Sequence, residues 1–317
     1  MKSGVLTVPL VSKSTNVRSI GPVDLRMAAF QMVAWLAPTM AARAVARLFL
    51  TPPPPRPLSA KARAFFAAAD DRFKVKLATD FGGTAETSSV SVALWGRGPA
   101  VYMLHGWGGR GAQWVSFVEP LVRAGFTAVV LDAPGHGDSP APRTSMLHFA
   151  RALDAVVDSI GPAKGVIGHS FGGAASALAM KHGLGSERAV LIGTPADPSE
   201  FFEVFLGGIG VPVRLHSAIR AHVERQYGFS WADLAVTAPS TETGSAPGIP
   251  ALIVHDTGDA EVDYANADRI ANQWPGAEVV TTHGLGHQRI LRNGEVVRRV
   301  VAWLAGGSSA DWMGVLR

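Results

Sequence analysis

From residue 70 onward, short apolar runs alternate with longer stretches whose apolar residues recur every three or four positions. Eight runs read as strands: FKVKLA (73–78), SVSVALWG (89–96), AVYMLHG (100–106), TAVVLDA (127–133), KGVIGHS (164–170), RAVLIGT (188–194), PALIVHD (250–256) and AEVVTTHG (277–284). Several are almost continuously apolar, as strands buried on both faces are. Between them, AQWVSFVEPLVRAG (112–125) and MLHFARALDAVVDSIG (146–161) keep helical spacing. Strands alternating with helices need crossover connections, so the expected fold class is α/β. It is a mostly parallel, eight-stranded sheet with helices on both faces, and the first two strands lie close enough in the chain to pair antiparallel.

Two intervals break this rhythm. Residues 197–249 carry no strand pattern but hold FFEVFLGGIGVPVRLHSAIRAHVERQYGFSWADLAV, rich in Phe, Leu and Val. So long a connection with helical spacing predicts a helical cap inserted after the sixth strand. Earlier, TPPPPRPLSAKA (51–62) reads as a stiff polyproline spacer behind an arm containing MAAFQMVAWLAPTMAARAVARLFL (27–50). The expected division is a helical arm and Pro-rich linker over 1–60, a core over 61–196 and 250–307, the cap over 197–249, and a tail over 308–317. Pro38, Arg43 and Arg47 interrupt the arm's apolar run, which is therefore a poor membrane-spanning helix. Packing on the body, homodimerisation or weak association with a membrane surface through residues 27–50 are its expected uses.

Composition narrows the function. The 317 residues are 47% hydrophobic and 17% charged, enough for a large core. The net charge of +4 is not gathered into runs of Lys and Arg interleaved with aromatics, so no nucleic-acid partner is expected. There is no cysteine, which excludes disulfides, thiolate catalysis and Cys-based metal sites. The opening MKSGVLTVPLVSKS lacks the pattern of a secretory signal, and the expected localisation is cytoplasmic.

In open parallel sheets, ligands bind beyond the carboxyl ends of the strands. The fifth candidate strand ends in Gly168-His169-Ser170-Phe171-Gly172, with a helical pattern behind it. G-x-S-x-G between strand and helix is the setting in which a sharp turn lifts a serine hydroxyl clear of the sheet. The third strand ends in HGWGGRG (105–111), where glycines let backbone N–H groups approach a substrate oxygen. The backbone N–H groups of Trp107 and Phe171 are the expected oxyanion donors. The seventh strand is followed by Asp256, Asp259, Glu261 and Asp263, and the eighth by His283 and His287. Gly284 and Gly286 lie between those two histidines, which favours loop catalysis over a metal pair; no metal and no cofactor are expected. His105 and His136 read as loop-shaping residues. His169, Phe201, Phe202, Phe205, Tyr227 and Trp231 are the candidate lining of a hydrophobic pocket, with Phe229 beside them.

HGWGG, DAPGHGDS, GHSFGG, HDTGD and GLGHQ, in this order, resemble the α/β-hydrolase fold superfamily and its serine esterase and lipase members over residues 85–305. The resemblance implies Ser170 as nucleophile, Asp259 as the acid (within H-x-x-x-D from His255) and His287 as general base. A serine rather than an aspartate at the nucleophile position speaks against dehalogenases and epoxide hydrolases of this fold. The expected function is hydrolysis of hydrophobic small-molecule carboxylic esters through an acyl-enzyme on Ser170. Thioesterase, amidase, carbon–carbon bond hydrolase, acyltransferase, perhydrolase and membrane-associated lipase activities share the same residues, and a non-catalytic binding module is the remaining class.

Overall fold

The computed structural model describes residues 32, 35–55, 57–79, 86–239 and 248–307; the expected 308–317 tail and most of the expected 1–60 arm lie outside them. The chain divides into two compact units: the stretch ending at Phe49 together with Glu200–Gly228, and Leu50–Ser199 together with the stretch from Phe229 onward.

The larger unit is built on one sheet of eight strands: β1 (Asp71–Thr79), β2 (Glu86–Trp95), β3 (Ala100–Leu104), β4 (Thr127–Asp132), β5 (Ala163–His169), β6 (Ala189–Ile192), β7 (Ala251–Asp256) and β8 (Glu278–Thr282). They lie in the order β1-β2-β4-β3-β5-β6-β7-β8. β2 pairs antiparallel with both β1 and β4, and every other neighbouring pair is parallel. Each apolar run of the sequence is thus a strand of the expected α/β sheet. β3, β6 and β7 are buried at every position, which is why β3, β6 and the Ala251–Val254 part of β7 read as unbroken apolar runs.

The helices of this unit are α2 (Ala60–Ala67), α3 (Val115–Arg123), α4 (Met146–Ile160), α5 (Phe171–Lys181), α8 (Ala265–Gln273), α9 (Gly286–Arg289) and α10 (Gly294–Leu304). α5 is nearly all Gly, Ala and Ser on its buried positions, so a helix can run close to the middle of the sheet. On one face of the sheet Trp114, Phe117, Met103, Ile167 and Trp303 belong to one continuous core. The Trp303 indole N–H donates to Glu278 Oε1 at 2.7 Å, tying α10 to β8. β3 lies between β4 and β5, so the chain departs to opposite sides from there. That switch point is where open α/β sheets place their ligands.

The smaller unit holds α1 (Pro38–Phe49), nearly all of α6 (Ser199–Gly208) and α7 (His216–Tyr227). Phe49 meets the rings of Phe202 at 4.7 Å and Phe205 at 5.2 Å. Glu203 receives bonds from His216 Nδ1 (2.8 Å) and Arg220 Nη1 (3.0 Å), linking α6 to α7.

Two expected boundaries move. The proline spacer is not a linker between units: Leu50 O accepts from Thr144 N–H at 2.8 Å, and Pro52 and Pro53 sit against Gly135 and Gly108. The cap contributes only 200–228 to the smaller unit. Beyond it, Trp231 and Leu234 are buried in the larger one, where Asp233 O accepts from Lys181 and Val236 N–H donates to Ala196 O. Residues 240–247 of the expected cap are outside the described set. No helix among the described residues is long and apolar enough to cross a membrane.

Candidate active site

Ser170 stands between the end of β5 and the start of α5 with φ 54° and ψ −125°. Among the described residues it is the one non-glycine with positive φ. Such backbone costs about 1–3 kcal/mol and persists only where neighbours over-determine it. They do so here. Ser170 N–H donates to Ile192 O at 2.8 Å, and Ser170 O accepts from Gly173 N–H at 2.9 Å. A Cβ at Gly168 would collide with Gly173, one at Gly172 with the Leu104 and His105 carbonyls, and one at Gly173 with Thr194. The glycines around the serine therefore let β3, β5, α5 and the β6 end approach closely enough to hold the turn.

The loops after β7 and β8 meet each other. His287 Nδ1 donates to Asp259 Oδ2 at 2.7 Å, and both side chains are almost fully buried. Asp259 Oδ1 accepts from Glu261 N–H and Val262 N–H, each at 2.9 Å. Burial raises the Asp259 carboxyl, but the bonds from His287, Val262 and Glu261 outweigh it and leave the pKa lowered. An ionised Asp259 only accepts, so the His287 Nδ1 carries the proton and Nε2 is the basic nitrogen. Glu261, which is exposed, reaches within 3.8 Å of that Nε2. Gly193, directly after Ile192, packs under the pair: a Cβ there would lie 3.3 Å from His287 Cε1 and 3.4 Å from Asp259 Oδ2. The His169 ring lies 4.6 Å from the His287 ring at a tilt of 45°, and its Nε2 donates to His287 O at 3.0 Å. Burial, then the nearby His287, lowers the His169 pKa to about 3, so it works as a neutral donor that steadies the His287 backbone.

The other acids are committed elsewhere. Asp256 accepts from Thr282 Oγ1 (2.7 Å), Leu285 N–H (2.9 Å) and Gly258 N–H (2.9 Å), and also from Gly286 N–H. Burial pushes its carboxyl up, yet these four bonds prevail and bring the pKa to about 2. Asp256 therefore staples the loop of Asp259 to the loop of His287. Asp263 receives Ala265 N–H at the start of α8, and His283 Nδ1 pairs with Thr257. Replacing Asp256 by alanine strands several buried donors, and a loss of about 3–5 kcal/mol in urea denaturation is expected.

The loop after β3 is held by two neutral histidines. His105 Nδ1 donates to Gly106 O (2.8 Å) while its Nε2 accepts from Ala133 N–H (3.0 Å). His136 Nδ1 donates to Pro134 O (3.1 Å) while its Nε2 accepts from Gly108 N–H (2.9 Å). Burial above all lowers both pKa values to about 4. Asp132 completes the arrangement by accepting from Gly111 N–H and Asp138 N–H, with burial raising its own pKa. The loop so fixed passes over the serine, where a Cβ on Gly106 would lie 3.1 Å from Ser170 Cβ. Trp107, 37% exposed, stands edge-on to Phe171 at 5.4 Å, and Phe149 meets Phe171 at 5.2 Å.

Of the expected pocket residues, His169 is at the site. Phe202 is fully buried against Phe49, Phe205 meets the same ring, and Phe201 is exposed, all in the smaller unit with half-buried Tyr227. Trp231 is buried edge-on to Phe229 in the larger unit. Phe149 was not among the expected site residues. Its place in an amphipathic helix marks it only as core. Among the described residues no group of three or more His, Asp or Glu could hold a metal.

A family model described as alpha/beta hydrolase fold matches residues 99–225, and one described as TAP-like protein matches residues 229–311. The chain is 35% identical over 95 residues to pimeloyl-[acyl-carrier protein] methyl ester esterase of Aeromonas hydrophila, covering 30% of this chain and 37% of that protein. It is 38% identical over 119 residues to 2-hydroxy-6-oxononadienedioate/2-hydroxy-6-oxononatrienedioate hydrolase 1 of Dechloromonas aromatica, covering 34% and 41%. The chain thus spans well under half the length of these curated relatives. A solved carboxylesterase from Bacillus subtilis superposes with a TM-score of 0.53 at 20% identity, over 78% of this chain and 97% of that one, and shares its fold. By its sheet order, the elbow after β5 and these matches, the chain has the α/β-hydrolase fold.

Proposed function

We propose that the protein is a serine hydrolase that cleaves carboxylic esters of hydrophobic small molecules. The observation that carries this reading is Ser170 in a strained backbone conformation, together with a buried His287–Asp259 pair that its chain neighbour His169 and the residue Gly193 both touch. A serine hydroxyl is a weak nucleophile until an imidazole takes its proton, and a carboxylate on the far nitrogen stabilises the imidazolium that results. In this reading His287 Nε2 removes the Ser170 Oγ proton as Oγ bonds to the ester carbonyl carbon. The carbonyl oxygen becomes an oxyanion received by the Trp107 and Phe171 N–H groups. As the intermediate collapses, the carbon–oxygen bond to the alcohol breaks and His287 returns its proton to the departing alkoxide. Water then repeats the sequence on the acyl-enzyme, with His287 again as base, and releases the acid.

Trp107, Phe149 and Phe171 around the elbow support an apolar acyl or alcohol group. The methyl ester esterase similarity favours an ester bond. The similarity to a dienedioate hydrolase makes carbon–carbon bond hydrolysis by the same residues the second reading. A panel of p-nitrophenyl esters from acetate to palmitate, with fluorophosphonate labelling mapped by peptide mass spectrometry, tests the first. Turnover and a single adduct on Ser170 are expected. An adduct on Ser170 without turnover of any ester favours the second reading, and folded protein that neither labels nor turns over contradicts both.

A further inference from the structure

Half of the large hydrophobic side chains exposed among the described residues belong to one stretch: Met32, Trp35, Leu36, Met40 and Leu48. α1 has two unlike faces. Its inner one, Ala41, Ala42, Val45 and Ala46, is buried and made of small residues, whereas Met40, Arg43, Ala44, Arg47 and Leu48 are exposed. The exposed set recurs at i, i+3, i+4, i+7 and i+8, so it is one stripe along the helix. A helix facing only water carries its bulky apolar residues inward; here the bulk points outward. Trp35 and Leu36, 73% and 66% exposed, add to it just before the helix.

Charge says what such a face meets. Residues 1–56 contain seven Lys and Arg against the single acid Asp24, a net +6. The other 261 residues hold 22 basic and 24 acidic side chains, a net −2. The whole positive excess of the sequence therefore lies in residues 1–56, which include this stretch. A second copy of the chain would bring like charge against like charge, which disfavours pairing through this face. An anionic lipid surface supplies the complementary charge together with an apolar layer for the side chains.

We infer that this stretch docks the protein on anionic membranes. α1 lies in the plane of the interface, with Trp35, Leu36 and Met40 at the boundary between headgroups and acyl chains and Arg43 at the phosphates. Its 12 residues lie on the bilayer, since spanning takes about 20. This inference is independent of the proposed chemistry, and its readout needs no enzymatic turnover.

The test is flotation of the full chain with vesicles of phosphatidylcholine, with and without phosphatidylglycerol. Binding only to the phosphatidylglycerol vesicles is expected, with release as sodium chloride is raised to about 0.5 M, where the screening length is only a few ångströms. The triple variant Trp35→Ser, Leu36→Ser, Met40→Ser should bind at least about tenfold more weakly, with circular dichroism and thermal midpoint unchanged. Arg43→Glu alone should also weaken binding, and it decides the matter if the triple variant does not fold. Wild type that ignores phosphatidylglycerol vesicles, or variants that bind as well as wild type, would overturn the inference. So would a lipid-independent dimer in light scattering that the triple variant converts to monomer, which would assign the face to a second copy.

Discussion

Ser170→Ala is expected to lower kcat on p-nitrophenyl esters by about ten-thousandfold or more, because the base and acid act only through the hydroxyl they activate. Residual hydrolysis above the rate in water would come from binding and the oxyanion N–H groups. The companion variant Ser170→Gly carries a second expectation. The φ of 54° at this position is strained for any side chain and ordinary for glycine. The glycine variant should thus be equally inactive and yet more stable by about 1–3 kcal/mol in urea denaturation. Alanine keeps the Cβ and should not gain. Turnover that survives in Ser170→Ala would remove this serine from the chemistry. Equal stability of the alanine and glycine variants would remove the strain.

Acid should unfold the protein near pH 5. Four histidines are buried and neutral: burial, the largest influence on each, lowers His105 and His136 to about 4 and His148 and His169 to about 3. The unfolded chain protonates them at about 6.5. Below that pH the unfolded state binds protons the folded state refuses, so stability is complete above about pH 6.5 and declines as pH falls toward 4. At pH 5 each group has forfeited about 2 kcal/mol, and the four together about 8. That is comparable to the whole stability of a typical protein, about 5–15 kcal/mol. Asp132 and Asp154 oppose the trend, since their raised pKa values favour the folded state on acidification, but they are two groups against four. Thermal midpoints between pH 7.5 and 4.5 measure the effect. A flat profile down to pH 5 would mean that these histidines are protonated in the folded protein.

The sheet was legible in the sequence because burial on both faces leaves β3 and β6, and β7 up to Val254, without polar interruptions. The elbow was legible because Gly168, Gly172 and Gly173 leave gaps where other backbone must pass. Asp259 came from a resemblance, and bond geometry now separates it from its neighbours: Asp256 is occupied by N–H donors and Asp263 by a helix start. The roles of His136, Asp256 and Phe149 depend on partners 26 to 30 positions away or on another element's ring, and no local pattern encodes them. The cap boundary failed for a related reason. Trp231 and Leu234 have the composition of the preceding cap helices, and only the bonds of Asp233 and Val236 place them with the larger unit. Phe202 and Phe205 read equally well as lining or as core, and Phe49 uses them as core.

β8 ends the sheet, pairing with β7 alone. Ser170 emerges near the sheet's centre and His287 just past this last strand. A strand at the rim opens more readily than one bonded on both sides. In the proposed chemistry, His287 therefore rides on a part of the scaffold prone to fraying, while Ser170 sits on a part much less prone to it. Competence and foldedness are separable in such a molecule: a chain with an intact centre and a loosened rim would be native to most probes and silent as a catalyst.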